Sequence, residues 1–455
     1  MMSKLSEHKR SILLTALIIV VFLTVLASCT FTLDKSDANV PVQESGKGLY
    51  ITRLNNGLTI TVKEVPNLPL VTIQFWTKVG SRNENDQNRG IAHIFEHIWF
   101  KGTPTQPVGS FDKRVAASGG YANAMTGQDF TAFYVMIPSE NFEEVLALMA
   151  DLFRNQLFDE KEIAKEKEVI LEEQNIVLND PMMLTDHKFA QLLFKKHPYR
   201  HPILGYKDTI KGNMPDAIRE FYKTWYVPNN MNLIVVGDVS KERVVKAAQK
   251  LLGDIKPKEL PETNIPEEPE QKQMRYKVET KKGIENTYAA IGFRICNFRS
   301  PDWYAMRVLV QILDGSENSR IQRELVQEKH VVSSSQTFFV PLLDYGAIET
   351  LIVVQPKKEN EAAQAVLDEF NRFKEEYVSD EELDSAKKQL QAGYALQQEE
   401  IAMQGVDIGR WWTAGNFEKQ PQYIEDIFKV TKEDIMKAAK KYLTQPTIFM
   451  LKPEE

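Results

Sequence analysis

One short run, from Gly90 to Phe100, constrains this chain more than any other. Its centre reads His-x-x-Glu-His, at His93, Glu96 and His97. If the run is helical, residues three and four apart share one face, so both imidazoles and the carboxylate lie together. Two imidazoles on one face can hold a metal ion while a neighbouring carboxylate moves a proton. The alternative is a buried helix with two hydrogen-bonded histidines, although with only 7 His in 455 residues a chance match is rare.

The composition indicates a soluble protein of two or three domains. Of its 455 residues, 43% are hydrophobic and 26% are charged, which suits an ordinary folded core. The formal net charge is -7, and the chain has neither a basic run with interleaved aromatic residues nor a glycine-rich phosphate loop. We therefore expect no nucleic-acid partner.

The N-terminus predicts a lipid anchor. Residues 1–28 have the basic start and apolar run of a signal peptide, and the run ends in Leu-Ala-Ser before Cys29. This ending resembles the bacterial lipoprotein box, in which the cysteine carries the lipid. An uncleaved membrane anchor is the alternative, but the apolar run is short for a full span. Residues 29–46 are mostly polar and predict a flexible tether. By analogy with bacterial sorting, Thr30 favours the outer membrane, facing the periplasm.

Two halves with related patterns follow the tether. Residues 256–273 are rich in Pro and Glu and predict a linker between a first half, 47–255, and a second half, 274–455. Strands precede helices in each half, which predicts a duplicated α+β unit.

The second copy of this unit lacks the metal-binding residues. The run 305–315 follows the apolar pattern of 92–102, but Met306, Leu309 and Val310 stand where the first half has its two histidines and its glutamate. The first half is thus predicted to be catalytic and the second inactive.

A zinc ion needs a third protein ligand as well as an open position. A long charged helix predicted at 159–177 offers several carboxylates, of which Glu166 and Glu173 are seven apart on one face. Most glutamates on such a helix are solvated, so the spacing alone does not choose between them. His197 and His201 are poorer candidates because a proline follows each of them.

These residues together resemble the pitrilysin and mitochondrial-processing-peptidase family of zinc endopeptidases, in which the order is His-x-x-Glu-His. In that family a ligand glutamate lies on a long helix after the motif, and Glu173 stands at the matching distance. A supporting glutamate precedes the ligand by seven residues and matches Glu166. The resemblance implies one Zn²⁺ per chain, held by His93, His97 and Glu173, and implies Glu96 as the general base for a zinc-bound water.

The resemblance also implies a fold, an activity and a substrate site. The fold class is α+β, with two homologous domains in a clamshell arrangement, each a mostly antiparallel sheet packed with helices. The activity is hydrolysis of peptide bonds in unfolded peptides. Asn123 and Ala124 match the family's edge strand, along which substrate lies as an added strand. An ordinary edge strand with no ligand is an equally good interpretation of these two residues.

The match fails at one place in the second half. Active relatives carry an Arg and a Tyr, seven apart, that help to bind substrate, whereas this chain has Val326 and Ser333 there. We therefore predict the zinc-bearing subunit of a two-chain enzyme whose partner supplies the Arg and the Tyr, with a homodimer as the alternative. Two other classes stay open: a non-catalytic scaffold, and a peptide-capture protein that holds zinc without turnover.

Overall fold

Two β-sheets organise the chain, one in each half. The structure, a computed structural model, describes residues 43–44 and 48–454. The predicted signal peptide and Cys29 therefore lie outside the described residues. The predicted tether was expected to reach residue 46, but Gln43–Glu44 already pair with the first sheet.

Seven strands of the described chain form the first sheet, in the order β1-β2-β3-β7-β4-β6-β5. They are β1 (Gln43–Glu44), β2 (Leu49–Arg53), β3 (Thr59–Glu64), β4 (Leu70–Thr77), β5 (Tyr121–Thr126), β6 (Thr131–Pro138) and β7 (Met231–Gly237). The helices of this half are α1 (Ile91–Trp99), α2 (Ser110–Ala117), α3 (Phe142–Arg154), α4 (Glu160–Asn179), α5 (Pro181–Leu193), α6 (Lys207–Gly212), α7 (Pro215–Trp225) and α8 (Lys241–Leu252).

Five strands of the described chain form the second sheet. They are β8 (Arg275–Lys281), β9 (Thr287–Ile295), β10 (Ser334–Val340), β11 (Gly346–Val354) and β12 (Thr447–Pro453). The helices of this half are α9 (Asp302–Asp314), α10 (Glu359–Glu375), α11 (Asp380–Gln397), α12 (Ile401–Ala414), α13 (Tyr423–Lys429) and α14 (Lys432–Tyr442). A short π-helix at Ile321–Glu328 precedes β10.

The strand order repeats the duplication that the sequence pattern indicates. The second sheet runs β8-β12-β9-β11-β10, and the first contains β3-β7-β4-β6-β5 in the same arrangement. The first pair of each series, β3 with β7 and β8 with β12, is parallel, and the remaining pairs are antiparallel. Accordingly α9, which follows β9, is the counterpart of α1, which follows β4.

Each half sends one helix onto the sheet of the other half. In α5, Leu184, Phe189 and Leu193 are buried against the second sheet. In α12, the apolar face is buried against Trp76 and its neighbours on the first sheet. Gly409 permits this approach, because a Cβ there would lie 2.1 Å from the Trp76 ring. Burial of apolar surface therefore joins the halves in both directions.

A polar cluster also joins the halves. The Arg82 guanidinium contacts Asp344 at 2.7 Å and Asp129 at 3.3 Å. The buried His197 ring lies 3.0 Å from the same Asp344 carboxylate, and Tyr199 donates to Asp129 at 2.7 Å. Since Asp344 belongs to the second half and the other four to the first, these contacts fix one half against the other.

The Pro-rich segment 256–273 contains no helix or strand. It is nevertheless anchored, because the buried Glu268 carboxylate accepts hydrogen bonds from the backbone N–H groups of Lys195, Lys196 and His197. Within the described part of the chain, every helix is too short or too polar to cross a membrane.

Candidate metal centre

The helix α1 divides into a buried face and a face that carries the motif. Its apolar residues are buried, and Phe95 and Trp99 pack on aromatic rings: the Phe95 ring lies 4.2 Å from that of Tyr226. The His93 and His97 side chains are 12% and 16% exposed, so both rings reach the surface of the core. The helix predicted for this run is therefore present, and its motif residues share the face that the spacing predicts.

Two residues before the motif fix where α1 begins. Gly90 has φ of +90°, and a Cβ there would lie 2.9 Å from the Leu204 carbonyl oxygen, so the position favours glycine. The buried Glu84 carboxylate accepts hydrogen bonds from the N–H groups of Gly90 and Ala92, both at 2.9 Å. Burial raises the pKa of Glu84 to about 8, although both hydrogen bonds oppose the rise.

The helix α4 brings its carboxylates to α1. Asp159 caps it by accepting from the N–H groups of Lys161 and Glu162, and Ile163 and Ile170 are buried. The Gln174 side chain donates to the carbonyl oxygens of the loop at 204–205, which fixes the C-terminal half of the helix.

The structure brings His93, His97 and Glu173 together. One donor atom from each lies within 4.8 Å of the others. The Glu173 carboxylate oxygen is 3.8 Å from His93 Nε2 and 3.7 Å from His97 Nε2, too far for hydrogen bonds. Two imidazole nitrogens and one carboxylate oxygen form a donor set that suits catalytic zinc, and space remains between them for an ion.

Glu166 holds the ring of His97 from the other side. Its carboxylate lies 3.0 Å from His97 Nδ1 and 2.7 Å from Lys101 Nζ. A carboxylate on Nδ1 directs the lone pair of Nε2 toward the metal position. Burial raises the pKa of Glu166, but the contacts with His97 and Lys101 outweigh it, so the carboxyl stays ionised at a lowered pKa.

Glu96 is not one of the three grouped donors and makes a contact of its own. Its carboxylate accepts a hydrogen bond from the Thr126 hydroxyl at 2.5 Å. Burial raises the pKa of Glu96, while the Thr126 contact and the charge of His97 lower it and the charge of Glu173 raises it further. A carboxyl with a raised pKa beside a metal position can accept a proton and return it.

The two histidines differ electrostatically. Burial, with a smaller contribution from His97, lowers the pKa of His93 to about 3, so its ring is neutral near pH 7. Burial also lowers the pKa of His97, but the Glu166 contact and the charges of Glu173 and Glu96 outweigh this, and the pKa is raised. The anions around His97 thus attract positive charge, which a divalent cation would supply in place of a proton.

Asn123 and Ala124 line the same pocket as His97 and Glu173. The pocket has a volume of about 380 Å³ and includes Glu96, His97 and Glu173 in its wall. Both residues lie on β5, the outermost strand of the first sheet at this end. Their backbone is therefore placed where an added peptide strand could pair beside the metal position.

Among its described residues, the second half has no counterpart of this site. Ala386 and Gly393 on α11 stand where α4 has Glu166 and Glu173. Val326 packs partly buried against the second-half core, and Ser333 is exposed just before β10. Within the described chain, neither Val326 nor Ser333 is part of the wall of the metal-site pocket.

Sequence reasoning missed three residues at this site: Glu84, Lys101 and Thr126. Lys101 follows His97 by four residues, and helical spacing could have suggested that the two share a partner. Thr126 follows Asn123 by three residues on the same strand, β5. Glu84 has no local signal, because it caps α1 across a loop.

Comparison with known proteins decides the family. The family model described as Insulinase (Peptidase family M16) matches residues 59–206, and the model described as Peptidase M16 inactive domain matches residues 214–390. An uncharacterized zinc protease of Rickettsia bellii is 30% identical over 391 residues, which cover 86% of this chain and 93% of that one. The chain belongs to peptidase family M16.

Two further proteins are similar to this chain over most of its length. The crystal structure of a protease from Helicobacter pylori superposes with a TM-score of 0.85 at 26% identity, covering 89% of this chain and 99% of that one. Subunit beta of the mitochondrial-processing peptidase of Saccharomyces cerevisiae is 26% identical over 421 residues, which cover 89% of this chain and 90% of that one. The family and the α+β two-domain fold class predicted from the sequence are confirmed.

Proposed function

We propose that this M16 protein is a zinc metalloendopeptidase that cleaves unfolded peptides at the α1–α4 site. The observation that carries the proposal is the approach of His93, His97 and Glu173 to within 4.8 Å, with Glu96 beside them on α1. The zinc protease name of the Rickettsia bellii relative supports the choice of metal. One Zn²⁺ per chain fits this single set of donors among the described residues.

The proposed mechanism assigns a task to each residue. When bound, the metal acts as a Lewis acid that polarises a carbonyl and makes water more acidic. Glu96 takes a proton from the attacking water and passes it to the nitrogen of the leaving amine. Thr126 holds the Glu96 carboxylate in place, and Glu166 keeps the His97 ring oriented. The β5 edge at Asn123 and Ala124 pairs with the substrate backbone.

Metal analysis of paired variants tests the donor set. We expect Glu173→Gln to lower zinc affinity by more than about 100-fold, because losing a ligand should cost more than the 10- to 100-fold typical of a supporting partner. Glu166→Gln should fall within that supporting range. Competition with a chelator, read as zinc per chain, measures both.

Glu172→Gln is the matched control, since Glu172 is an exposed neighbour on the same helix. It should bind zinc as the wild type does. If Glu173→Gln retains wild-type affinity, the donor set is wrong.

If the wild type holds zinc but cleaves nothing in a quenched-fluorescent peptide library, with or without a partner chain, a peptide-capture protein is the better description. If it holds no zinc, the scaffold class is better.

We further propose that the protein is one subunit of a two-chain enzyme. The absence of Arg and Tyr at Val326 and Ser333 supports this, as does the similarity to a chain named as a subunit of mitochondrial-processing peptidase. A second M16 chain would supply the two missing groups.

We also propose a lipid anchor at Cys29 in the bacterial cell envelope, supported by the sequence pattern of residues 1–29. The wild type should appear in the membrane fraction and incorporate labelled palmitate. Cys29→Ser should lose the label, whereas Cys296→Ser, which changes a buried thiol elsewhere, should keep it. Labelling of Cys29→Ser at the wild-type level would refute the anchor.

A further inference from the structure

A second cavity, larger than the metal-site pocket, lies between the two halves. It has a volume of about 1130 Å³ and is bounded by the turn after β5 in the first half and by α9, α11, α12 and β10 in the second. We call it the second-half cavity. Thr126, Arg307, Gly393 and Arg410 are among the residues in its wall.

The second-half cavity occupies the place that corresponds to the metal site. Its wall includes α9 and α11, the counterparts of α1 and α4, and β10, the counterpart of β5. Gly393 stands where α4 carries Glu173, and a Cβ at Gly393 would meet no atom within 4 Å. The second half thus lacks the ligand side chains, and the corresponding place on α11 borders an open cavity.

Two arginines give this cavity positive charge. The charge of Arg307 acts on the Tyr423 phenol, and its guanidinium lies 5.9 Å from the centre of the Phe339 ring. Asp407 is the acidic residue whose charge acts on Arg410. Arg410 is exposed and lies in the cavity wall, so its guanidinium is open to an anion that enters the cavity.

The acidic residues in the wall are already engaged. Asp407 accepts hydrogen bonds from the Tyr394 hydroxyl at 3.1 Å and from the Gln420 amide at 2.8 Å. Asp129 is paired with Arg82 and accepts from the Leu343 N–H group at 3.0 Å. The charges left for a ligand are therefore the two guanidinium groups, which match a carboxylate in shape and charge.

The cavity is continuous with the substrate strand. Thr126 donates to Glu96 with its hydroxyl and also lines the second-half cavity. Three residues back along β5, Asn123 lines the metal-site pocket. A strand rises about 3.3 Å per residue, so a peptide lying along β5 would cover roughly 10 Å between the two places.

We propose that the second-half cavity binds a carboxylate of the peptide held along β5, so that the protein selects acidic peptides. The carboxylate belongs either to an Asp or Glu side chain a few residues from the cleaved bond or to the peptide C-terminus. This inference rests on the proposed function, since it names the substrate class of that site.

Binding to a non-cleaving protein tests the inference separately from catalysis. The full chain carrying Glu96→Gln, loaded with zinc, is titrated with labelled peptides that differ only by Glu or Gln, each with a free or an amidated C-terminus. Fluorescence anisotropy gives the dissociation constants. We expect a carboxylate to tighten binding by about tenfold, the effect of one charge-assisted hydrogen bond. Loss on Glu→Gln identifies a side chain, and loss on amidation identifies the C-terminus.

Substitution of the two arginines then tests whether the preference for a carboxylate arises in the second-half cavity. In Arg307→Gln and Arg410→Gln the preference for the carboxylate should shrink toward none, whereas Arg410→Lys should keep part of it. Arg219→Gln, on the surface of α7, is the matched control and should keep all of it. Thermal unfolding of each variant shows that the fold is retained.

The outcomes separate the two proposals. Equal affinity for all peptides, no binding at all, or a preference that survives both arginine substitutions would overturn the carboxylate site. If the preference is present but the wild type, with and without a partner chain, cleaves none of these peptides, the carboxylate site stands and the peptidase proposal fails.

Discussion

Replacing Glu96 by Gln is expected to slow peptide cleavage by about 100- to 10,000-fold, the usual contribution of a general acid–base residue. The amide keeps the size of the carboxylate but cannot accept the proton of the attacking water. Zinc should remain bound, because the donor set consists of His93, His97 and Glu173 and excludes Glu96. The Thr126 hydroxyl, which donates to Glu96 at 2.5 Å, can equally donate to an amide oxygen, so the site should keep its shape.

The measurement pairs kcat on one peptide with zinc content of the same sample. Glu168→Gln, an exposed change on α4, is the matched control and should behave as the wild type. A variant that binds zinc and still cleaves at more than about a tenth of the wild-type rate would remove Glu96 from the role of base. A variant that loses zinc would show instead that Glu96 supports the metal.

The positions that the sequence predicts best are those governed by local periodicity. A spacing of three and four residues places His93, Glu96 and His97 on one face of a helix without any knowledge of the rest of the fold. The apolar residues between them predict the buried face correctly. This pattern is contained in one run of eleven residues from Gly90 to Phe100. Which residues share a face of the helix therefore follows from their spacing within the run and does not depend on distant contacts.

The third ligand needed more than periodicity. Glu166 and Glu173 share one face of α4, but so do other carboxylates of that charged helix, and the family resemblance alone selected these two. In the structure the selection has a physical basis, because Ile163 and Ile170 each precede one of these glutamates by three residues and so lie on the same side of α4, and their burial turns that side toward the core. The burial of those residues depends on packing against distant segments, which no local pattern records.

Local sequence patterns could not predict the contacts that hold the site together, and only the family resemblance implied the supporting role of Glu166. Thr126 reaches Glu96 across 30 residues of chain, and Glu166 reaches His97 across 69. The exchange of helices between halves, with α5 on the second sheet and α12 on the first, likewise depends on tertiary packing. Hydrophobic patterns identify a buried face but leave open which surface covers it.

A partner chain that supplies the missing arginine and tyrosine is expected to have a large effect on the rate of cleavage. An arginine and a tyrosine that help to bind substrate at the metal are each expected to contribute about as much as an oxyanion donor, whose removal costs about 100- to 1,000-fold in kcat. This chain has Val326 and Ser333 instead, and within the described residues neither lines the metal-site pocket. The purified chain should therefore bind zinc but cleave slowly.

Adding a second M16 chain that carries an Arg and a Tyr seven residues apart should then raise the rate per zinc by at least about 100-fold. The same second chain with its Arg replaced by Gln is the control, because it should associate and yet fail to activate. Light scattering distinguishes a heterodimer from a homodimer under the assay conditions. If this chain alone, as a monomer or a homodimer, already cleaves at the rate of the mixture, its own residues complete the site. In that case Arg and Tyr are dispensable here, and the search for the groups that replace them would begin at Lys101, the cation nearest to Glu166 at 2.7 Å.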